Sequence, residues 1–207
     1  MINHQKKYIF VHIPKTAGVS IYELLGDKKQ QSHKHLYDYD EYYRDYFSFA
    51  VVRNPLDRLV SAYTYMNVGG RGFKGDLFAQ NVVSKFKDFK DFSLNLEDVQ
   101  DDLARFSNKH NGKHIVGFPH LHPQTLWTHE GNLQIIDYVI HLENLENDFK
   151  KIRKILGKFR INIPNKNTSD RKDYAKYYDH ENLELVIQFY KDDFENLGYS
   201  FELPINK

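Results

Sequence analysis

The chain has 207 residues, of which 41% are hydrophobic and 28% are charged, so its composition is that of an ordinary globular domain and not of a disordered chain. Its net charge of +1 argues against a strongly basic nucleic-acid-binding protein, and its lack of cysteine excludes disulfides and thiolate chemistry. The length suits a single domain over residues 1–207. No stretch approaches eighteen apolar residues, so we expect neither a signal peptide nor a membrane-spanning helix.

The first predicted elements are a strand over residues 8–13 and a helix after it, joined by a short polar turn. The sequence from Pro14 to Ser20 is Pro-Lys-Thr-Ala-Gly-Val-Ser. A turn from strand to helix directs backbone N–H groups and the positive end of the helix dipole at an anion. Lys15 adds a charge, two hydroxyl side chains add donors, and Gly18 lets a phosphate approach with no Cβ in the way. We therefore predict an anion cradle formed by Lys15, Thr16, Ala17, Gly18, Val19 and Ser20.

The order of residues in this cradle differs from that of the nucleoside-triphosphate P-loop. The P-loop pattern G-x-x-x-x-G-K-[ST] places the lysine after the glycines and directly before the hydroxyl residue. Here Lys15 comes first and a single glycine follows it. A nucleotide kinase or NTPase with a similar strand-turn-helix arrangement stays as an alternative function. For the turn itself, the alternative is an ordinary turn with a surface lysine.

A second strand-to-helix junction follows about forty residues later. Residues 47–53 read as a buried strand, and Asn54-Pro55 supplies a helix cap and a proline at the first helical position. The next apolar residues recur at the spacing i, i+3, i+4 and i+7, which predicts a helix. This spacing leaves Arg58 and Ser61 on the face away from the apolar stripe. The arginine fork of Arg53 and the Ser61 hydroxyl, two turns along the helix, suit a terminal phosphate.

The two motifs, Pro-Lys-Thr-Ala-Gly-Val-Ser and Arg-Asn-Pro-Leu-Asp-Arg-Leu-Val-Ser-Ala-Tyr, resemble those of carbohydrate sulfotransferases of the heparan and chondroitin type, the sulfotransferase family 2 superfamily. These enzymes use 3′-phosphoadenosine 5′-phosphosulfate (PAPS) as the donor and release adenosine 3′,5′-bisphosphate (PAP). The resemblance implies that the cradle holds the 5′-phosphosulfate and that Arg53 and Ser61 hold the 3′-phosphate. Arg58 also matches the motif, and a solvated arginine on the helix face is the alternative. No metal is expected.

Later segments agree with this resemblance and are structural rather than part of a site. Pro123-Gln124-Thr125 resembles the family's central Pro-Gln element, residues 138–149 its strand followed by a helix, and residues 190–201 its closing helix and last strand. Strands alternate with helices along the chain, which favours an α/β fold with a mainly parallel central sheet flanked by helices. The resemblance implies the P-loop-NTPase-like sulfotransferase version of that fold.

The remaining elements are predicted from glycines and apolar spacing. Residues 67–75 contain four glycines and predict a flexible loop, which is either a lid, a wall of the acceptor cleft or a plain mobile loop. Residues 77–106 have a helical pattern, with Ser93 as a possible cap. Two later helices are predicted over residues 145–156 and 183–197, and a glycine follows each of them.

Sulfuryl transfer to an alcohol needs a base, and histidine is the side chain whose pKa lies nearest the working pH. His33 and His35 lie between the two motifs, just before a short aromatic and acidic segment. Related sulfotransferases have a catalytic histidine in this region, so the resemblance implies His35 as the base, with His33 as the second candidate. His120 and His122 are the competing pair, and His12 in the first strand is predicted to belong to the core.

The acceptor is expected to carry a hydroxyl group and to be a glycan, and neither nucleic acid nor membrane insertion is expected. Arg171 lies where related enzymes bring a late loop to the donor, so the resemblance implies a contact with the donor. Because no anchor is predicted, we expect a cytoplasmic, bacterial protein, although a Golgi-type enzyme trimmed of its anchor would look the same. A module that binds PAPS or PAP without catalysing transfer is the other alternative.

Overall fold

The computed structural model describes residues 1–26, 33–39, 44–110, 113–157 and 173–203. The chain forms two compact units. The first combines Met1–Asn54 with Gln124–Ser169, and the second combines Pro55–Pro123 with Asp170–Lys207. Each unit is therefore formed by two separate segments of the chain. The expectation of one domain over residues 1–207 stays a prediction.

A four-stranded sheet organises the first unit. Its strands are β1 (Ile2–Asn3), β2 (Tyr8–Val11), β3 (Phe47–Val52) and β8 (Tyr138–His141), in the order β1-β2-β3-β8. β2 pairs with β3, and β3 pairs with β8, in parallel, whereas the short β1 is antiparallel to β2. The mainly parallel sheet expected from the sequence is therefore confirmed, and its kinship with P-loop folds stays a prediction.

Helices α1 (Gly18–Leu25) and α7 (Leu145–Ile152) pack their apolar side chains on this sheet. A single turn of helix, α6 (Thr125–Thr128), leads into a small hairpin of β6 (His129–Glu130) and β7 (Leu133–Gln134). β2 and β3 are buried on both of their faces, as expected for parallel strands. The core of this unit contains Met1, Tyr8, Phe10, Ile21, Tyr22, Leu25, Phe49, Val51, Ile140, Phe149, Ile152 and Leu156.

The second unit is mainly helical. Its elements are α2 (Pro55–Asn67), α3 (Lys74–Val83), α4 (Phe89–Leu94), α5 (Leu96–Ala104), the hairpin of β4 (Ser107–His110) and β5 (Lys113–Val116), α8 (His180–Phe189) and α9 (Lys191–Leu197). The apolar stripes of these helices pack around one cluster of aliphatic and aromatic side chains. Among the described residues the longest helix is α2, with 13 residues, and none of the helices there has the length and apolar character needed to span a bilayer.

The predicted helix over residues 77–106 consists of three helices, α3, α4 and α5, separated by turns. The cap of α4 is Asp88, whose carboxylate accepts a hydrogen bond from the Asp91 N–H (3.0 Å). The prediction of Ser93 as a cap was therefore wrong. Ser93 is buried inside α4, where its hydroxyl accepts a hydrogen bond from the side-chain amide of Asn182 (3.0 Å).

The two later helices are present, with one difference. α7 lies within the predicted segment 145–156 and turns follow it up to Gly157. The predicted helix over residues 183–197 is divided between α8 and α9, which meet at Tyr190. Residues 199–203 contain no strand, so the closing strand implied by the resemblance is not found there.

A buried carboxylate holds the glycine-rich segment 67–75. Asp76, which is 5% exposed, accepts hydrogen bonds from the main-chain N–H groups of Arg71 (3.0 Å) and Phe73 (3.3 Å) and from the Tyr65 hydroxyl (3.0 Å). Burial, and then the adjacent carboxylate, raise the pKa of Tyr65 to about 12, so the phenol keeps the proton that it donates. These bonds favour a fixed turn over the flexible loop predicted from the glycines.

Arg58 is buried rather than solvated. Its side chain is 1% exposed, and Nη2 donates to the main-chain carbonyls of His122 (2.8 Å) and His120 (3.3 Å). The Tyr190 hydroxyl donates to the carbonyl of Leu121, which lies between them (2.8 Å). The alternative of a solvated arginine on the helix face is therefore wrong, because this guanidinium fastens the segment around Leu121 to α2.

We expect Asp76→Ala to lower the free energy of unfolding by about 1–3 kcal/mol, because it removes the carboxylate that satisfies main-chain donors. Amide hydrogen exchange at Arg71 and Phe73 should become faster. The matched control is Asp101→Ala, at an exposed aspartate of α5, for which we expect a change within about 0.5 kcal/mol. Unaltered exchange at Arg71 and Phe73 in Asp76→Ala would contradict the prediction.

Candidate active site

The turn between β2 and α1 is built around left-handed backbone. Lys15 (φ +69°) and Ala17 (φ +60°) adopt this conformation although neither is glycine. The first main-chain bond of α1 runs from the Ile21 N–H to the Ala17 carbonyl (3.2 Å), so the N–H groups of residues 18–20 have no acceptor within the helix. The first turn carries no acidic residue, and Ala17 has no side chain able to cap it. This helix end therefore suits an anion, as the sequence predicts.

The Thr16 side chain is part of the turn itself. Its hydroxyl is fully buried and donates to the main-chain carbonyl of Ile13 (2.9 Å). A hydroxyl has one proton to donate, and here the Ile13 carbonyl accepts it. The Thr16 side chain therefore fixes the turn instead of donating to a phosphate, the role that the sequence predicts. The backbone N–H of Thr16 and the buried hydroxyl of Ser20 stay predicted donors, and the Lys15 side chain is half-buried beside them.

Gly18 is explained by its neighbour His12. A Cβ at Gly18 would lie 1.8 Å from His12 Nε2, so any larger residue would displace the imidazole. This is a packing reason for the glycine, in addition to the predicted close approach of an anion. His12 is buried, stacked on Phe10 (5.8 Å between ring centroids) and edge-on to Tyr22 (5.2 Å), so the prediction of a core histidine is confirmed.

Arg53 follows β3 and is held by its main chain. Its N–H donates to Gln124 Oε1 (2.9 Å), and Gln124 Nε2 donates back to the Arg53 carbonyl (2.8 Å). The Gln124 side chain is fully buried. The Arg53 guanidinium is half-buried, and Nη1 donates to the Lys15 carbonyl (3.3 Å), so the two predicted anion-binding segments are in contact. Sequence reasoning treated Gln124 only as part of a structural element and missed this role.

The two candidate bases lie against the same short helix, α6. The His35 ring is stacked on the buried Trp127 indole, with centroids 4.8 Å apart and planes inclined by 4°. Its Nδ1 lies 2.9 Å from the main-chain carbonyl oxygen of Leu126. The Trp127 indole N–H donates to the main-chain carbonyl of His33 (3.2 Å), whose ring lies 4.3 Å from that of His12.

The Leu126 carbonyl determines which nitrogen of His35 carries the proton. A carbonyl oxygen only accepts hydrogen bonds, so His35 Nδ1 must be the donor. In a neutral imidazole the other nitrogen, Nε2, then carries the lone pair and can accept a proton. His33 Nδ1 faces the carbonyl of His12 at 3.2 Å, and the same reasoning gives His33 the same tautomer. Both histidines thus have the protonation pattern of a base that acts through Nε2.

The other predicted site residues are distributed differently. Ser61 is half-buried in α2 of the second unit, and its pairing with Arg53 rests on the motif alone. The His120 ring is stacked between Phe118 (4.1 Å) and Tyr65 (5.3 Å), which favours a structural role. The predicted donor contact Arg171 lies outside the described residues.

His33 with His35, and His120 with His122, are close pairs of side chains of a type that binds metals. Over residues 1–26, 33–39, 44–110, 113–157 and 173–203, no three or more histidine, aspartate or glutamate side chains are grouped so that they could hold a metal ion. His33 and His35 face main-chain carbonyls and aromatic rings instead.

Comparison with known proteins identifies a family. A family model described as "Sulfotransferase family" matches residues 1–200, which is nearly the whole chain. The matched range includes both predicted motifs, the two candidate bases and Gln124. Comparisons with curated proteins and with solved structures give no significant match.

We expect the neutral His35 imidazole to carry its proton on Nδ1, because the Leu126 carbonyl accepts from that nitrogen. Nitrogen-15 NMR of the imidazole nitrogens, recorded with the ring neutral, distinguishes the two tautomers. His180 serves as the control, since its exposed Nε2 lies 3.5 Å from the Glu184 carboxylate and should carry the proton. A proton on Nε2 of neutral His35 would rule out the proposed hydrogen bond.

Proposed function

Because the chain belongs to the sulfotransferase family, we propose that it transfers the sulfuryl group of PAPS to a hydroxyl group of an acceptor, with PAP as the second product. We propose a carbohydrate as the acceptor, as the resemblance of the two motifs implies. The observation that carries the proposal is that the two segments predicted to bind anions, the cradle and Arg53, follow neighbouring parallel strands and are in contact through the Lys15 carbonyl.

The first unit has groups that fit a nucleotide with charged groups at two of its ends. The N–H groups that begin α1 and the Lys15 ammonium suit the 5′-phosphosulfate. The Arg53 guanidinium suits the 3′-phosphate, which offers several acceptor oxygens to an arginine fork. We propose Ser61 and Arg171 as further donor contacts, on their positions in the sequence motifs alone.

The proposed reaction is an in-line displacement at sulfur. The donor supplies the activated sulfuryl group. Lys15 and the N–H groups from Thr16 to Ser20 would stabilise the negative charge that develops on the oxygens around sulfur, as an oxyanion hole does. The N–H groups among these donors are fixed before the reaction by the backbone of the turn, so they need little reorganisation in the transition state.

The acceptor hydroxyl must lose its proton as its oxygen attacks sulfur. We propose His35 Nε2 as the atom that takes this proton, because the Leu126 carbonyl keeps the ring proton on Nδ1. His33, with its Nδ1 on the His12 carbonyl, is the alternative base. The stacking of His35 on Trp127 holds the ring plane, so Nε2 keeps one direction.

Two alternative functions, a kinase or NTPase and a binding module without catalysis, predict different results in binding and transfer assays. A kinase or NTPase would prefer ATP to PAP, and a module without catalysis would bind PAP but transfer no sulfate. A bacterial origin and a cytoplasmic location remain predictions from the sequence.

We expect PAP to bind more tightly than ATP or ADP in isothermal titration calorimetry, because ATP and ADP have no 3′-phosphate for Arg53. Arg53→Ala should weaken PAP binding by about 2 kcal/mol or more, the scale of a hydrogen bond to a charged group. The matched control is Arg105→Ala, at an exposed arginine that pairs with Asp102, and it should leave PAP affinity unchanged. Equal affinity for ATP and PAP would contradict the proposal that PAPS is the donor.

We expect Lys15→Ala to lower turnover by a factor on the order of 10²–10³, as the loss of one oxyanion donor does in other enzymes. The measurement is release of PAP from PAPS with whichever sugar of a glycan panel supports transfer by the unaltered protein. Lys87→Ala, at an exposed lysine of the second unit, is the control and should retain normal turnover. Near-normal turnover in Lys15→Ala would remove Lys15 from the mechanism.

A further inference from the structure

We propose that Gln124 is a positioning residue, and that the segment Gln124–Thr128 orients both Arg53 and His35. We call this segment the α6 clamp; it comprises Gln124 and the four residues of α6. The inference rests on the proposed function, because it assigns the clamp to the donor site and to the base of that reaction. All of the contacts involved lie within the first unit.

The first arm of the α6 clamp is the Gln124 side chain. Both ends of its amide are bonded to a single residue, with Oε1 accepting from the Arg53 N–H at 2.9 Å and Nε2 donating to the Arg53 carbonyl at 2.8 Å. Because both the N–H and the carbonyl of Arg53 are bonded, the main chain of Arg53 is held in the way that a neighbouring antiparallel β-strand would hold it. Arg53 is the first residue after β3, so Gln124 continues the constraint of the sheet by one residue.

Burial makes this arm specific for an amide. Gln124 is fully buried, and a buried donor or acceptor without a partner is costly. Glutamate would replace the donor at Nε2 with an oxygen facing the Arg53 carbonyl, and alanine would remove both bonds. The amide therefore holds the Arg53 main chain in an arrangement from which Nη1 reaches the Lys15 carbonyl.

The second arm of the clamp faces the histidines. The Trp127 ring lies parallel to the His35 ring, the Leu126 carbonyl accepts from His35 Nδ1, and the Trp127 indole N–H bonds to the His33 carbonyl. The contacts connect residues about 90 positions apart in the chain. A single helical turn thus supplies the main-chain acceptor and the stacking surface that orient His35.

The two arms are joined by two hydrogen bonds to the Gln124 carbonyl, one from the main chain and one from a side chain. The Trp127 N–H donates to the Gln124 carbonyl (3.0 Å), and the Thr128 hydroxyl donates to the same oxygen (3.3 Å). A shift of the Gln124 main chain should therefore also shift Trp127, because a single hydrogen bond connects the two residues. Loss of the Gln124 side chain should alter both the nucleotide site and the tautomer of His35, whereas loss of the Arg53 side chain should alter the nucleotide site alone.

The test is a double-mutant cycle read by PAP calorimetry and by imidazole NMR, using the full chain. We expect Gln124→Ala to weaken PAP binding about tenfold, within the range of coupling between residues in contact. In the Arg53→Ala background, Gln124→Ala should add almost nothing, because Gln124 acts through Arg53. Gln124→Ala should also move His35 toward the Nε2–H tautomer, and Arg53→Ala should not.

The control is Asn182→Ala in the second unit. Asn182 is also a fully buried amide, with Nδ2 donating to Ser93 Oγ (3.0 Å) and to the Tyr177 carbonyl (3.1 Å). Its loss should destabilise the protein to a similar degree, seen as a lower Tm, while PAP affinity and the His35 tautomer stay as they were. Equal losses of PAP affinity in Gln124→Ala and Asn182→Ala would show a general structural effect and overturn the proposal.

Gln124→Glu provides a second variant of nearly the same size. We expect it to fold and to weaken PAP binding in the same direction, since it keeps the acceptor for the Arg53 N–H and loses the donor. If neither Gln124 variant folds, Gln124 is required for the fold as a whole and the proposal is overturned. Absence of PAP binding by the unaltered protein would instead overturn the proposed function, and the inference with it, whereas normal PAP binding by folded Gln124 variants would overturn the inference alone.

Discussion

Parallel pairing of β2 with β3 is the interaction on which the candidate site depends, since it brings the carboxyl ends of both strands to one edge of the sheet. Val11 lies opposite Ala50 in this register, so the turn that starts at Pro14 and the chain at Arg53 leave the sheet side by side. Ligands of open α/β sheets bind beyond this edge. A slip of one residue would reverse the faces of every side chain in β3 and move Arg53 away from the Lys15 carbonyl.

Main-chain carbonyls do much of the positioning around this edge. The oxygens of Ile13, Lys15 and Leu126 accept from the Thr16 hydroxyl, the Arg53 guanidinium and the His35 ring. A carbonyl has no proton and does not titrate, so it orients a side chain in the same way at every pH at which the protein is folded. For His35 this matters directly, because an acceptor that never donates leaves the imidazole a single neutral tautomer.

Local features of the site could be predicted from the sequence, and distant ones could not. The cradle and the strand before Arg53 follow from residue types within one strand, turn and helix, where spacing and caps are decisive. The Gln124 amide reaches a residue 71 positions away, and the Asp76 carboxylate is recognisable as an anchor only once its burial is known. The break at Asp88 was missed because apolar periodicity continues across it, so three helices read as one. No motif marks such residues, because their roles depend on the contacts that the fold creates.

The two arginines of the motif Arg-Asn-Pro-x-x-Arg show how burial separates a structural side chain from a ligand-binding one. Arg58 is 1% exposed, and its guanidinium donates to the carbonyls of His120 and His122. Because this guanidinium is almost completely buried, an anion from solvent could reach it only if the packing around it opened. Arg53 is half-buried and anchored by its main chain, so its fork can meet a phosphate while the Gln124 bonds stay intact. The same residue type, five positions along the chain, thus has a structural role in one unit and is suited to charge recognition in the other, because the Arg58 guanidinium is buried whereas that of Arg53 is half-buried on a main chain fixed by Gln124.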